Sequence, residues 1–280
     1  MMLRSTVPPV RTFTVATIVL CVALLRQASR RPPAHVLVAS ADQSSAREWS
    51  AALASANATL AQMTLEEKSS LLLGVGWERG ELRKWWYVGN TPPVRRLGIP
   101  PFNMMDAGGG FRTYWSELIG TVTCWPSQLA LASTWDAALV GEVASSIADE
   151  FVAKGANVLL GPSVNVHRVP RGGRNFEYLS GDDPYLGAKL TASYIRGVQS
   201  RGVLAVVKHF AFNQQETNRD TSESVVDAAT AAQLYFPPFE AAVAAGVGGV
   251  MCSYNRVGGG FGGGAYACGS APLLSRALKG

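Results

Sequence analysis

The feature that most constrains the fold is Val203-Leu204-Ala205-Val206-Val207, an unbroken apolar block closed by Lys208 and His209. A strand with one wet face alternates apolar and polar residues, so a continuous apolar block demands burial on both faces. Similar blocks recur along the chain. Phe102-Asn103-Met104-Met105 ends at Asp106, Asn157-Val158-Leu159-Leu160 runs into Gly161-Pro162, and Val247-Gly248-Gly249-Val250-Met251 comes last. Helical patterns lie between them. Asp136 has the place of an N-cap, Val140, Val143, Ile147 and Phe151 follow at helical spacing, and Gly155 ends the run. Leu186, Leu190, Tyr194 and Val198 mark a second helix before Gly202, and Asp227 begins a third that Pro237-Pro238 interrupts. Upstream, Thr64-Leu65-Glu66-Glu67 has capping-box spacing and opens a helix through Leu73, with Gly74 after it. Buried strands alternating with amphipathic helices imply an α/β chain whose parallel sheet is covered by helices. Periodicity leaves two architectures open, a doubly wound sheet or a (β/α)8 barrel.

The ends of the blocks carry the chemistry. Asp106, Asn165 with His167, Lys208 with His209, and Tyr254 with Asn255 each follow a strand at its C-terminal end. In both architectures that end carries the site. The set mixes donors and acceptors without a single-sign cluster, which suits a neutral, polyhydroxylated ligand better than a phosphate. Composition agrees. Apolar residues make up 48% and charged residues 16%, enough for a large core. The net charge is +5, yet Arg4, Arg11, Arg26, Arg30 and Arg31 supply much of it, so no nucleic-acid partner is expected.

Each motif has two readings. Lys208-His209 is either an exposed loop pair or a pair of donors for adjacent hydroxyls, the second requiring a local distortion because strand neighbours face opposite ways. Asp106, before Gly108-Gly109-Gly110, is either an Asp-Gly turn or a carboxylate open to two hydroxyls. In Arg171-Gly172-Gly173-Arg174-Asn175-Phe176-Glu177, Arg174 is expected to face the ligand and Glu177 to give structural support. Trp77, Trp85, Trp86 and Tyr87 form an aromatic cluster suited to core packing or to stacking on a sugar ring. The glycine run 258–264 matches a dinucleotide fingerprint only trivially and reads as a flexible insertion, so no nucleotide cofactor is expected. Three His and four Cys without ligand spacing argue against a metal site, although Cys252 and Cys268 could pair.

At the N-terminus, Arg4 and Arg11 precede the apolar run Phe13–Leu25, which has the length of a signal-peptide core. Residues 1–41 are read as a signal peptide or short signal-anchor, and residues 42–59 as a linker. The expected location is the secretory pathway, with the product extracellular or anchored by that segment. The Asn57-Ala58-Thr59 sequon agrees with this route.

Taken in order, these residues resemble glycoside hydrolase family 3, the β-glucosidase and β-xylosidase group. The matching stretches are Thr64–Lys68, Gly89-Asn90 with Arg96–Pro100, Asp106–Arg112, Pro126–Asp136, Gly155–Pro162, Gly173–Glu177, Gly181–Pro184, Lys208–Phe210, Asn213–Arg219 and Met251–Arg256. The resemblance implies that residues 60–280 form an N-terminal (β/α)8 TIM-like barrel, incomplete at its C-terminal end. It implies retaining hydrolysis of terminal non-reducing β-D-glucosyl residues, with a β-glucoside or β-linked oligosaccharide as partner and no cofactor. By the same resemblance Asp106, Arg174, Lys208 and His209 surround one sugar ring, Arg112 is the motif arginine, and Tyr254 stands near the anomeric centre. The family nucleophile is an Asp in an SDW-like motif that these residues lack. It and the acid/base are expected beyond Gly280, which leaves no catalytic residue here and makes the 280 residues alone an inactive, at most sugar-binding, fragment. Ala228-Ala229 also stand where the family pattern has charged residues.

Overall fold

The computed structural model describes residues 43–75, 87–261 and 263–279. The apolar run Phe13–Leu25 and the tryptophans Trp77, Trp85 and Trp86 lie outside them. The first described element corrects the linker expectation for residues 42–59. It is a helix, α1, Gln43–Gln62. Alanine recurs through it, and alanine is the strongest helix former, but it gives no apolar stripe for a periodicity argument to find. Ala52 and Ala56, one turn apart, are its buried contacts. Helix α2, Leu65–Leu72, starts with the expected capping box: Thr64 Oγ1 accepts from Glu67 N at 3.2 Å, and Thr64 N donates to Glu67 Oε2 at 2.9 Å.

Strand β1, Gly89–Asn90, pairs antiparallel with β2, Asn103–Asp106. After the short helix α3, Gln128–Ala132, helix α4, Ala137–Ala153, leads into β3, Val158–Leu160. Helix α5, Pro184–Gln199, leads into β4, Leu204–Phe210. Asp136 and Asp183 cap α4 and α5 through side-chain oxygens that accept from backbone N–H groups. Strand β5, Glu223–Val226, leaves the main sheet. Asp227 then caps a short helix, α6, Ala228–Thr230, which continues as a π-helical turn before α7, Pro237–Ala244. Strand β6, Gly249–Cys252, completes the main sheet.

The strand order β1-β2-β3-β4-β6 excludes the doubly wound alternative. In a doubly wound sheet the order reverses and helices cover both faces. Here each parallel strand, β2 to β3 to β4 to β6, is added at the same edge. Right-handed crossovers then place every helix on one side. Helices α4, α5 and α7 accordingly pack in sequence, α4 on α5 and α5 on α7. The result is a mixed α/β fold with a curled, half-barrel sheet. Its core joins Met105, Leu159, Ala205 and Val207 of the strands to Val140, Ile147, Phe151, Leu190, Tyr194 and Val198 of the helices.

Helices α4 and α5 meet almost backbone to backbone. A Cβ placed on Gly197 would lie 2.4 Å from the carbonyl oxygen of Gly141. Alanine there would gain about 1 kcal/mol of helix propensity but would force the helices apart, at about 1–3 kcal/mol. Gly197→Ala is expected to lower stability by up to about 2 kcal/mol in urea unfolding. A stabilised variant would show that the two helices do not need this close approach.

The glycine run corrects another expectation. Strand β7, Arg256–Gly259, pairs parallel with β5 and antiparallel with β8, Ala265–Tyr266, forming a second sheet. Gly259 is the one with no room for a side chain: its φ is +65, and a Cβ there would lie 2.4 Å from the backbone carbonyl oxygen of Val226. Phe261 is buried against Phe212 and Phe236. The run is a hairpin between two paired strands, not a loose insertion. Cys252 and Cys268 are joined in a disulfide that ties β6 to the segment after β8.

Candidate active site

Because β2, β3, β4 and β6 are parallel, their C-terminal ends open on one rim. Asp106 is the last residue of β2 and lies level with Leu160 of β3. Lys208 lies near the end of β4, in register with Met251 of β6 and bridged to Ser163. The β4–β6 ladder shifts register between Lys208 and Phe210, and the Lys208–His209 and Phe210–Ala211 peptides are cis. The register shift is a local distortion of the strand at this point. Lys208 is 3% exposed and His209 4%, so the exposed-loop reading fails.

A buried ammonium must find negative charge. Lys208 Nζ lies 3.9 Å from Asp106 Oδ1 and 3.9 Å from Glu177 Oε2. Burial pulls its pKa down, while Glu177 and Asp106 pull it back up. Glu177 comes from the turn Asn175–Glu177 and is itself buried. It approaches Gly108 so closely that a Cβ there would stand 3.2 Å from Glu177 Oε2. Arg174 Nε donates to Glu177 Oε1 in a short ion pair, and Arg174 Nη1 lies 3.7 Å from Glu216 Oε1. Burial lowers the Arg174 pKa, but the hydrogen bond to Glu177 and the nearby charges outweigh it and leave a net rise. Glu216 in turn binds Arg219 Nη1 at 2.7 Å. At the other end, Arg112 Nη1 lies 3.6 Å from Asp106 Oδ2, and Tyr114 donates its hydroxyl to the same oxygen at 2.5 Å.

Asp106, Arg112, Arg174, Lys208 and Glu177 thus form one network of alternating charge. Glu177 lies between Arg174 and Lys208. Tyr254 joins through Arg219, whose guanidinium lies 4.6 Å from the ring centre, and Tyr254 is 55% exposed. Glu216, Arg219, Tyr178 and Tyr114 were not singled out from the sequence. Glu216 and Arg219, three residues apart within the family-like stretch Asn213–Arg219, gave a signal that could have been used. Tyr114 gave none.

His209 is held on three sides. Asn165 Oδ1 accepts from His209 N at 2.7 Å, Asn165 Nδ2 donates to His209 O at 3.0 Å, and Tyr178 Oη lies 2.6 Å from Nδ1. Burial raises the Tyr178 pKa, so its hydroxyl keeps its proton and donates to Nδ1. That leaves the His209 proton on Nε2, as a donor. Burial, then the charges of Lys208, Arg174 and Arg219, push His209 down to about 2. His167 packs against Tyr178 with tilted rings 4.3 Å apart, and burial followed by Arg174 pushes it down to about 4.

These two histidines set a pH dependence. Both folded pKa values lie below the unfolded value of about 6.5, so the unfolded chain takes up protons first as pH falls. The stability they contribute is complete above about pH 6.5 and is lost towards about 4 and then 2, at up to about 1.4 kcal/mol per pH unit for each group. The urea midpoint is therefore expected to drop between about pH 7.5 and pH 5, and His167→Phe should make the drop shallower. A midpoint constant over that range would contradict the buried neutral state of both rings.

The fold and site together define a mixed α/β domain with a half-barrel sheet and a polar, mixed-charge site on the C-terminal rim of its parallel strands. The sequence profile of the glycosyl hydrolase family 3 N terminal domain matches residues 88–279. The chain belongs to glycosyl hydrolase family 3. It is similar to thermostable beta-glucosidase B of Acetivibrio thermocellus, with 42% identity over 226 residues, covering 78% of this chain and 28% of that protein. A beta-glucosidase of Rhizobium radiobacter is 43% identical over 223 residues, covering 79% of this chain and 25% of the relative. Among solved structures, beta-glucosidase 3B from Thermotoga neapolitana in complex with alpha-D-glucose matches with a TM-score of 0.71 and 37% identity, over 80% of this chain and 32% of that one. The chain therefore spans about a quarter to a third of the length of these relatives.

Proposed function

We propose that the strand-end network holds the terminal β-D-glucosyl residue of a β-glucoside or β-linked oligosaccharide. The protein then hydrolyses that O-glycosyl bond with retention, in carbohydrate catabolism, and its sheet belongs to a (β/α)8 barrel. The observation that carries this reading is Asp106, a strand-end carboxylate facing Lys208 beside the ion-paired Arg174 and Glu177. A carboxylate accepts from two adjacent hydroxyls, and Lys208, Arg174 and the Nε2 proton of His209 donate to others. Arg112 borders the Asp106 end of this ring and Tyr254 the opposite end. The glucose-bound relative from Thermotoga neapolitana supports glucose as the sugar.

Asp106, Glu177 and Glu216 are each engaged by cations, which suits acceptors and structural partners better than a proton donor. The nucleophile and the acid/base of the retaining reaction are therefore assigned to residues other than these. Entry into the secretory pathway is part of the same proposal. The Cys252–Cys268 disulfide favours an oxidising compartment, and Asn57 is exposed within its sequon.

Titration calorimetry of the chain with glucose tests the reading. Saturable binding is expected. If glucose fails to bind while a nucleotide raises the melting temperature, the site is a phosphate or cofactor site and the proposal falls.

A further inference from the structure

We propose that Tyr114 is a positioning residue of the sugar site: its hydroxyl and ring hold Asp106 and Arg112 apart, so that the carboxylate faces the sugar. This rests on the reading that Asp106 holds glucose.

The geometry around Asp106 is asymmetric. Oδ2 accepts the Tyr114 hydroxyl at 2.5 Å. Oδ1 faces Lys208 Nζ at 3.9 Å, too far for a direct hydrogen bond, so this oxygen keeps its acceptor capacity. Arg112 is the competitor. Its Nη1 lies 3.6 Å from Oδ2, just outside hydrogen-bond distance. An arginine and a carboxylate that come closer form a two-pronged pair engaging both oxygens. That pair would take from the sugar the acceptors it needs.

Tyr114 opposes this collapse in two ways. Its hydroxyl fills the Oδ2 lone pair to which Arg112 would bind. Its ring lies 4.7 Å from the Arg112 guanidinium, which holds the arginine on an aromatic face. The hydroxyl stays a donor throughout the working pH range, because burial and then Asp106 push its pKa up to about 12. The contact is also local. Arg112 N donates to Asp106 O at 3.2 Å, so the turn that follows β2 returns Arg112 and Tyr114 to the carboxylate that begins it.

Tyr114→Phe removes the hydroxyl and leaves the ring. Tyr114 is 36% exposed, so the variant is expected to fold with an unchanged melting temperature. Its affinity for glucose, measured by calorimetry on the full chain, is expected to fall about 10-fold, the worth of one charge-assisted hydrogen bond. A general loosening of the site would weaken every sugar equally. Action through Asp106 would not, so the same titrations use a set of monodeoxyglucoses. For the analogue lacking the hydroxyl that Asp106 grips, Tyr114→Phe should make no difference. An equal loss for all analogues, no loss for glucose, or tighter glucose binding would each overturn the proposal. If the unmodified chain fails to bind glucose, the reading of the site itself falls, and this inference with it.

Discussion

Asp106→Ala is expected to abolish measurable glucose binding, a loss of at least about 100-fold. The magnitude follows from what the carboxylate does. A hydrogen bond to a charged group contributes about 1.5–3 kcal/mol, and two such bonds to adjacent hydroxyls correspond to 100-fold or more. Asp106 also supplies one of the two negative charges near Lys208, so alanine removes a ligand contact and turns the buried ammonium wholly towards Glu177. Asp106→Asn separates the two effects. It keeps the shape and one acceptor, and its affinity is expected to lie between those of the wild type and the alanine variant. Calorimetry on the three proteins gives the order. A loss below about 10-fold for the alanine variant would mean that the sugar lies elsewhere on the rim.

Glu177→Ala is expected to act on the fold before the ligand. Its two oxygens face Arg174 and Lys208, and all three groups lie in or beside the buried wall of the site. Removing one partner of such a pair leaves charge in a place that water reaches poorly, at about 3–5 kcal/mol. That is a large part of the stability of an ordinary domain. Urea unfolding should show the full shift for alanine and a smaller one for Glu177→Gln, which retains a carbonyl acceptor. A change under about 1 kcal/mol for alanine would show that Glu177 is wetter than its place in the turn indicates.

The elements most legible in the sequence were those with a single strong period. The block at Val203–Val207, the cap at Asp136, and the helical stripes of α4 and α5 lie where the pattern puts them. Strand β4 extends to Phe210, because burial continues through Lys208 and His209 even though their side chains are polar. Pattern reasoning failed where burial is slight or the contact is distant. Helix α1 has alanines in place of an apolar stripe, and β5, β7 and β8 are short strands whose partners lie far along the chain. The choice of architecture was invisible for a similar reason. It depends on which edge receives each strand, and no local stretch records that. For the candidate site, strand-end position picks out Asp106, Lys208 and His209, while Glu216, Arg219 and Tyr114 enter through loops whose return path only the folded chain shows.

The run of ion pairs from Arg112 to Arg219 has a thermodynamic meaning beyond holding the rim together. From Lys208 to Arg219 each side chain is braced by the next, so Lys208, Arg174 and Arg219 are ordered before any ligand arrives. Binding then costs little side-chain entropy, and the binding free energy depends mainly on how well the sugar's hydroxyls match fixed donors and acceptors. A braced site adjusts poorly to a misplaced hydroxyl, because an unmatched charged group stays desolvated and unpaired. In the proposed sugar site, the same rigidity that lowers the entropic cost of binding is expected to make it selective between epimers.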